Sequence, residues 1–200
     1  MIRLAPKKPI IQSSTSKPDQ IVRYSNRTWE QFKLIQKTLE GLTGNRLFYF
    51  DGTIEILMPG KNHELFKSII AILIEAFLFQ QEIEFVPTGS MTHEHEGYAS
   101  GEPDESYQIG EFKLIIEVTV SSSSISKQGL YQALGIHELW FWEDGLLSVY
   151  HLTDKGYQKC DRSLIPALNT LNLERFTQCI LMGETSCLKA RKHLLSRDTN

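Results

Sequence analysis

The 200-residue chain predicts an α/β fold, a mixed β-sheet core flanked by helices. Three observations carry this expectation. Periodic stretches follow one another in the order helix, hairpin, helix, strands, helix, hairpin. Two Asp-Gly pairs, Asp51-Gly52 and Asp144-Gly145, each separate runs of strand-forming residues, a strong short-range signal for a tight hairpin. The stretch from His63 to about Gln80 is apolar almost all round, as a buried central helix requires.

The elements follow in order. Residues 1–20 are rich in Lys, Pro and Ser and read as a flexible N-terminal arm. Thr28 can cap a helix running to about Glu40, with Glu30 in its first turn and Gly41 and Gly44 ending it. Arg46 to Phe50 and Thr53 to Leu57 form the first hairpin. Asn62 is positioned to cap the apolar helix, on which Glu64, Ser68, Ala71 and Glu75 fall along one stripe. Phe85 starts a further strand, and Thr92 to Gly101 is polar and reads as a loop. Tyr107 to Ile109 and Lys113 to Val120 are the core strands, followed by a helix from about Ser124 to Leu134 that Gly135 ends. Leu139 to Trp142 and Leu146 to Leu152 make the second hairpin. Leu164 to Phe176 holds a Pro-led turn and a short helix, and residues 181–200 read as a frayed, basic C-terminal tail. Residues 21–180 are then a single domain, a length sufficient to bury a real core.

Composition narrows the function. The formal net charge of −3 gives no global basic field to draw in nucleic acid, which disfavours a tight DNA binder but not an enzyme that meets DNA briefly. Three scattered cysteines, Cys160, Cys179 and Cys187, suit a reducing compartment. Met1 to Pro9 is basic without an apolar run behind it, so it does not read as a secretory signal. The most apolar segment, Ile69 to Phe79, is interrupted by Glu75 and is too short to span a bilayer. The expected location is cytoplasmic, with no membrane partner.

Glu117 is the residue that demands explanation, an acid inside the apolar run Lys113-Leu-Ile-Ile-Glu-Val-Thr-Val120. Ionised carboxylates avoid dry interiors unless they are paired or hold a metal. A two-residue turn at Gly110 and Glu111 places Ile109 opposite Phe112, and the same register sets Asp104 opposite Glu117. Two like charges so placed repel each other, and a divalent cation compensates them. Mg²⁺, or Mn²⁺ in its place, prefers such oxygen ligands, with the Val118 carbonyl as a third. The alternative is that the strand frays before Asp104 and both acids are solvated. Lys127 sits where a cation can orient a water or stabilise charge on a phosphate, with Tyr131 one turn further on the same face; an ordinary surface lysine is the other reading. Glu64 is either a further acid of the site, able to hold a water or a metal, or a simple first-turn acid.

These residues carry a resemblance. Pro103-Asp104, Ile115-Ile-Glu-Val118, Lys127 four residues before Tyr131, and Gly135-Ile-His-Glu-Leu-Trp-Phe-Trp142 together resemble the Uma-two family of endonucleases, abundant in cyanobacteria, within the PD-(D/E)XK nuclease superfamily. The Asp51-Gly52 hairpin, Pro59 and His63 match its lead-in, and Ser163 to Leu168 resembles its closing motif, so the likeness spans roughly residues 27–177. It implies a restriction-endonuclease-like fold and Mg²⁺-dependent hydrolysis of DNA phosphodiesters. Asp104 and Glu117 match the metal-binding acids, and Lys127 matches a lysine moved from the strand to the next helix. The superfamily's usual lysine position, two after the glutamate, is Thr119 here, and Ser123, Ser124 and Ser126 stand where an acid is common. Glu64 lies where the superfamily often has a first-helix acid, but His63 is the better match to the family.

The leading expectation is a metal-dependent endodeoxyribonuclease with Asp104, Glu117, Lys127 and Glu64 at its site and a homodimer as its working form. The rival, motivated by Thr119 and the acidic balance, is an inactive nuclease-fold module that binds nucleic acid or protein. A zinc hydrolase at His93-Glu94-His95 is a weaker third, because no cysteine ligand lies nearby. Ser121 to Ser124 lacks the Gly-x-Ser-x-Gly context of a serine hydrolase. Trp140 and Trp142 read as core, and Lys189, Arg191 and Lys192 as a solvated end or a weak DNA contact.

Overall fold

The computed structural model of the chain describes residues 18–119 and 126–196. In chain order the elements are β1 (Gln20–Tyr24), α1 (Trp29–Leu39), β2 (Arg46–Phe50), β3 (Thr53–Met58), α2 (Lys61–Gln80), β4 (Val86–Pro87), β5 (His93–His95) and β6 (Ala99–Gly101). There follow β7 (Glu105–Ile109), β8 (Phe112–Thr119), α3 (Lys127–Ala133), β9 (Glu138–Glu143), β10 (Leu146–Thr153), β11 (Gly156–Cys160), a 3₁₀ turn at Pro166–Leu168, α4 (Leu173–Gly183) and α5 (Cys187–Leu195). The α/β class is as expected, with two sheets sharing the core. One runs β1-β3-β2-β6-β5 and the other β11-β10-β9-β8-β7-β4. Every pairing is antiparallel except β8 with β9. A parallel pair needs a crossover, and α3 lies in that connection.

Local chemistry accounts for the framework. Thr28 and Gln31 form a reciprocal capping box that starts α1. Asp51 and Gly52 both take positive φ, 47° and 66°, which matches the twist of the strands they join; Asp144 and Gly145 repeat this at 49° and 80°. Strand β8 separates two compartments by simple alternation. Leu114, Ile116 and Val118 join the core built on α2, α4 and α5, which includes Leu73, Phe176 and Leu194. Ile115 joins the opposite core with Phe48 of β2 and Leu130 and Tyr131 of α3. Helix α1 covers the outer face of the first sheet through Trp29 and Phe32, against Leu47, Tyr49 and Ile54. Trp140 and Trp142 are buried, as core residues should be.

Several boundaries differ from expectation. Helix α2 begins at Lys61 with Gly60 at its N-cap, so Asn62 lies in the first turn and caps nothing. Residues 93–101 are a short hairpin rather than a loop, because the small residues Ala99, Ser100 and Gly101 let β6 lie close against β2. The segment after Thr153 adds a strand, β11. Helix α3 starts at Lys127 under a Ser126 cap; Ser123 and Ser124 lie outside the described residues. The presumed tail contains α5, capped by Ser186 and docked through Ala190 and Leu194. At the other end, residues 18–20, assigned to the arm, lead into β1, which pairs with β3. Among the described residues no helix is long and apolar enough to cross a membrane.

Candidate active site

The hairpin of β7 and β8 has the register that its turn dictates, from Ile109 opposite Phe112 to Glu105 opposite Ile116. The ladder stops one pair short of Asp104 and Glu117. Asp104 instead bends so that its Oδ2 accepts from the Val118 amide at 2.8 Å and its Oδ1 meets His63 Nε2 at 2.8 Å. Both acids are buried, at 1% and 3% exposure. Glu117 Oε1 accepts from Lys127 Nζ at 3.3 Å and from the Tyr131 hydroxyl in a short bond. The Lys127 ammonium also lies over the Phe48 ring, 2.9 Å from its centroid. The i to i+4 spacing on α3 thus delivers a cation and a phenol to one carboxylate.

Electrostatics divides the pair. Burial pushes the Glu117 carboxyl up; the Lys127 charge opposes this and the Asp104 charge adds to it. Burial acts on Asp104 in the same direction, but the His63 hydrogen bond and charge and the Val118 amide together hold it below the usual carboxylate range. The surroundings therefore favour the charged form of Asp104 and disfavour that of Glu117, which Lys127 offsets in part.

His63 is held between two acids. Its Nδ1 meets Asp19 Oδ2 at 3.0 Å, and Asp19 Oδ1 accepts from the Gly60 amide at 2.7 Å. Burial alone lowers the imidazole, yet the bonds and charges of Asp104 and Asp19 outweigh it and raise the ring from 6.5 to about 9. A raised base stabilises the fold fully below its unfolded value and loses that contribution as pH rises through its folded value. Stability is thus expected to fall by up to about 3 kcal/mol between pH 6.5 and 9.5. Urea unfolding across that window checks this, with His63→Gln showing a flatter profile; equal profiles would refute it.

Glu64 is not brought to the acidic pair. Its side chain is 46% exposed and takes ion pairs from Arg46 Nη2 at 3.6 Å and Lys67 Nζ at 3.3 Å. It lies about 100° round α2 from His63, which shares the buried stripe of Ile70 and Phe77. Arg46 links the two regions, its Nε 3.9 Å from Asp104 Oδ1. Glu105 faces the α2 side, and burial raises its carboxyl to about 7. Glu102 accepts from the Leu47 amide at 2.9 Å and ties the entry to Asp104 onto β2. Thr119 follows Glu117 on the same strand face, so no lysine occupies that position.

The donor set suits a hard divalent cation. Both carboxylates are buried, and the charge of Asp104 is felt at Glu117 and raises it, a repulsion that a cation relieves. Among the described residues no cluster of three or more His, Cys, Asp or Glu is placed to hold a metal, so a cation would draw its other ligands from the Val118 carbonyl, water and substrate. His93 and His95 form no zinc centre with those partners: they meet Ser106 Oγ at 3.3 Å and the Ala133 carbonyl at 3.4 Å. Sequence reasoning passed over Asp19, His63 and Arg46 as site residues. For His63 there was a signal, since a histidine on an apolar helical stripe must find a partner.

The family model Uma2, described as "Putative restriction endonuclease", matches residues 29–179. No curated protein matches the chain. Among solved structures it is similar to a "putative nuclease belonging to DUF820" from Anabaena variabilis ATCC 29413, at 17% identity and a TM-score of 0.48, over 74% of this chain and 91% of that one.

Proposed function

The chain belongs to the Uma2 family, and on that premise we propose that it is a Mg²⁺-dependent endodeoxyribonuclease hydrolysing DNA phosphodiester bonds. The observation that carries the reading is the buried Asp104 and Glu117 pair with Lys127 bonded to Glu117. Asp104, Glu117 and the Val118 carbonyl would hold the cation, Mg²⁺ or Mn²⁺, which supplies Lewis-acid polarisation of the phosphodiester. Lys127 orients the attacking water and stabilises charge gathering on the phosphate. Tyr131 holds Glu117 in place, and His63 and the Val118 amide hold Asp104. Glu64, joined to Asp104 through Arg46, is the outer acid. Cutting both strands with one site per chain calls for two copies, so the working form is a homodimer. Free cysteines fit a reducing cytoplasm.

A second reading, an inactive module that binds nucleic acid or protein, is favoured by Thr119 at the usual lysine position. Incubation with supercoiled plasmid separates the two. Open-circular product is expected with Mg²⁺ or Mn²⁺, none with EDTA and none from Asp104→Ala. Plasmid binding without metal-stimulated nicking would establish the second reading instead. Full nicking by Asp104→Ala would remove Asp104 from the site.

A further inference from the structure

Asp19 lies ahead of the family-matched region, which begins at residue 29. Yet its carboxylate is only 3% exposed, and it reaches the one imidazole that touches Asp104. The pairing of β1 with β3 explains how. Gln20 sits opposite Met58, which sets Asp19 beside Pro59 and Gly60, where the chain enters α2. There Asp19 splits its two oxygens, Oδ1 to the Gly60 amide and Oδ2 to His63 Nδ1. His63 Nε2 then reaches Asp104 Oδ1, while the Val118 amide takes Oδ2. A ring bonded at both nitrogens cannot turn, and a carboxylate bonded at both oxygens cannot either.

We propose that Asp19 is a positioning residue of the nuclease site: acting through His63, it fixes the Asp104 carboxylate in the orientation that receives a divalent cation. This role rests on the nuclease reading above. It makes the segment before the family-matched region a working part of the site. A purely structural alternative is that Asp19 only caps α2 through Gly60, and the two oxygens let one substitution distinguish them. Asp19→Asn keeps an acceptor for the Gly60 amide but turns a donor toward His63 Nδ1.

The test uses the full chain as wild type, Asp19→Asn and Asp19→Glu. Three readouts are taken: the Nδ1-bound proton of His63 by NMR without metal, Mn²⁺ affinity from the free-ion EPR signal, and plasmid nicking. In Asp19→Asn the proton resonance should shift or vanish. Mn²⁺ affinity and kcat should each fall about 10–100-fold, the usual cost of losing a partner behind a metal ligand. KM for plasmid should stay at its wild-type value. The metal-free melting temperature should fall only by the share of the His63 pairing that Asp19 supplies, so both losses should persist in assays well below it, and Asp19→Glu should recover part of them. An Asn variant that binds Mn²⁺ and nicks like wild type overturns the role of Asp19 alone. A loss of activity that only tracks a lowered melting temperature overturns it as well, leaving the helix cap. A wild type that neither binds Mn²⁺ nor nicks fails the nuclease reading itself and takes this role with it.

Discussion

Glu117→Gln is expected to lower plasmid nicking about 1,000-fold or more while leaving the fold intact. Glutamine keeps the shape of the side chain and an acceptor for Tyr131 and Lys127, so the packing against α3 survives. What disappears is the negative charge that would hold a cation and set Lys127. Losing a charge of this kind at a desolvated reacting centre costs about 4 kcal/mol of transition-state stabilisation or more. Stability responds in the opposite direction. Burial and the neighbouring Asp104 both disfavour the charged Glu117 carboxyl, so its removal relieves strain, offset by the weaker pairing left to Lys127. The melting temperature should therefore hold or rise slightly. Single-turnover nicking on supercoiled plasmid, with calorimetric Mg²⁺ titration of the same samples, measures both terms. Nicking within about tenfold of wild type would remove Glu117 from the mechanism.

What could be read from the sequence follows the range of the interactions involved. The turn at Gly110 fixes pairing a few residues away, so the β7–β8 register was legible up to its last rung. Helical periodicity likewise placed Lys127 beneath Tyr131 on one face. Long-range polar contacts leave no such trace. Asp19 and His63 are 44 residues apart, and only the pairing of β1 with β3 joins them. Pro18 and Asp19 therefore looked like the end of an arm. The placement of Glu64 was not legible either, because a first-turn acid says nothing about which way its helix faces; the buried stripe of α2 carries His63 inward and leaves Glu64 outside it, with Arg46 and Lys67. Helix α5 escaped notice for a related reason. Its inward-facing buried residues are Ala190 and Leu194 alone, too few to show a period against a basic background.

Glu138 is the other buried acid of the six-stranded sheet, and there the large expected effect is on stability. It shares the strand face of Trp140 and Trp142, toward α2 and α4, away from the face that carries Glu117. Its register partner on β8 is Leu114, so it also lies three residues back along the strand, about 10 Å from the level of Glu117. The Glu138 carboxylate is fully enclosed and satisfied. Oε1 accepts from Trp140 Nε1 and from Ser163 Oγ, each at 2.7 Å, and Oε2 accepts from the Leu164 amide at 2.9 Å. Ser163 Oγ in turn accepts from the Ile165 amide at 3.2 Å, so one carboxylate pins the segment before the Pro166–Leu168 turn onto β9. Glu138→Ala leaves these donors buried without an acceptor, at a cost of about 3–5 kcal/mol. For a domain of this size that is a fall of roughly 10–15 °C in melting temperature. Nicking per folded molecule, assayed well below the new midpoint, should remain near wild type. A melting temperature lowered by less than about 3 °C would mean the segment is held by packing alone. Nicking lost from a folded variant would instead place Glu138 in the mechanism, which its strand face and register do not favour.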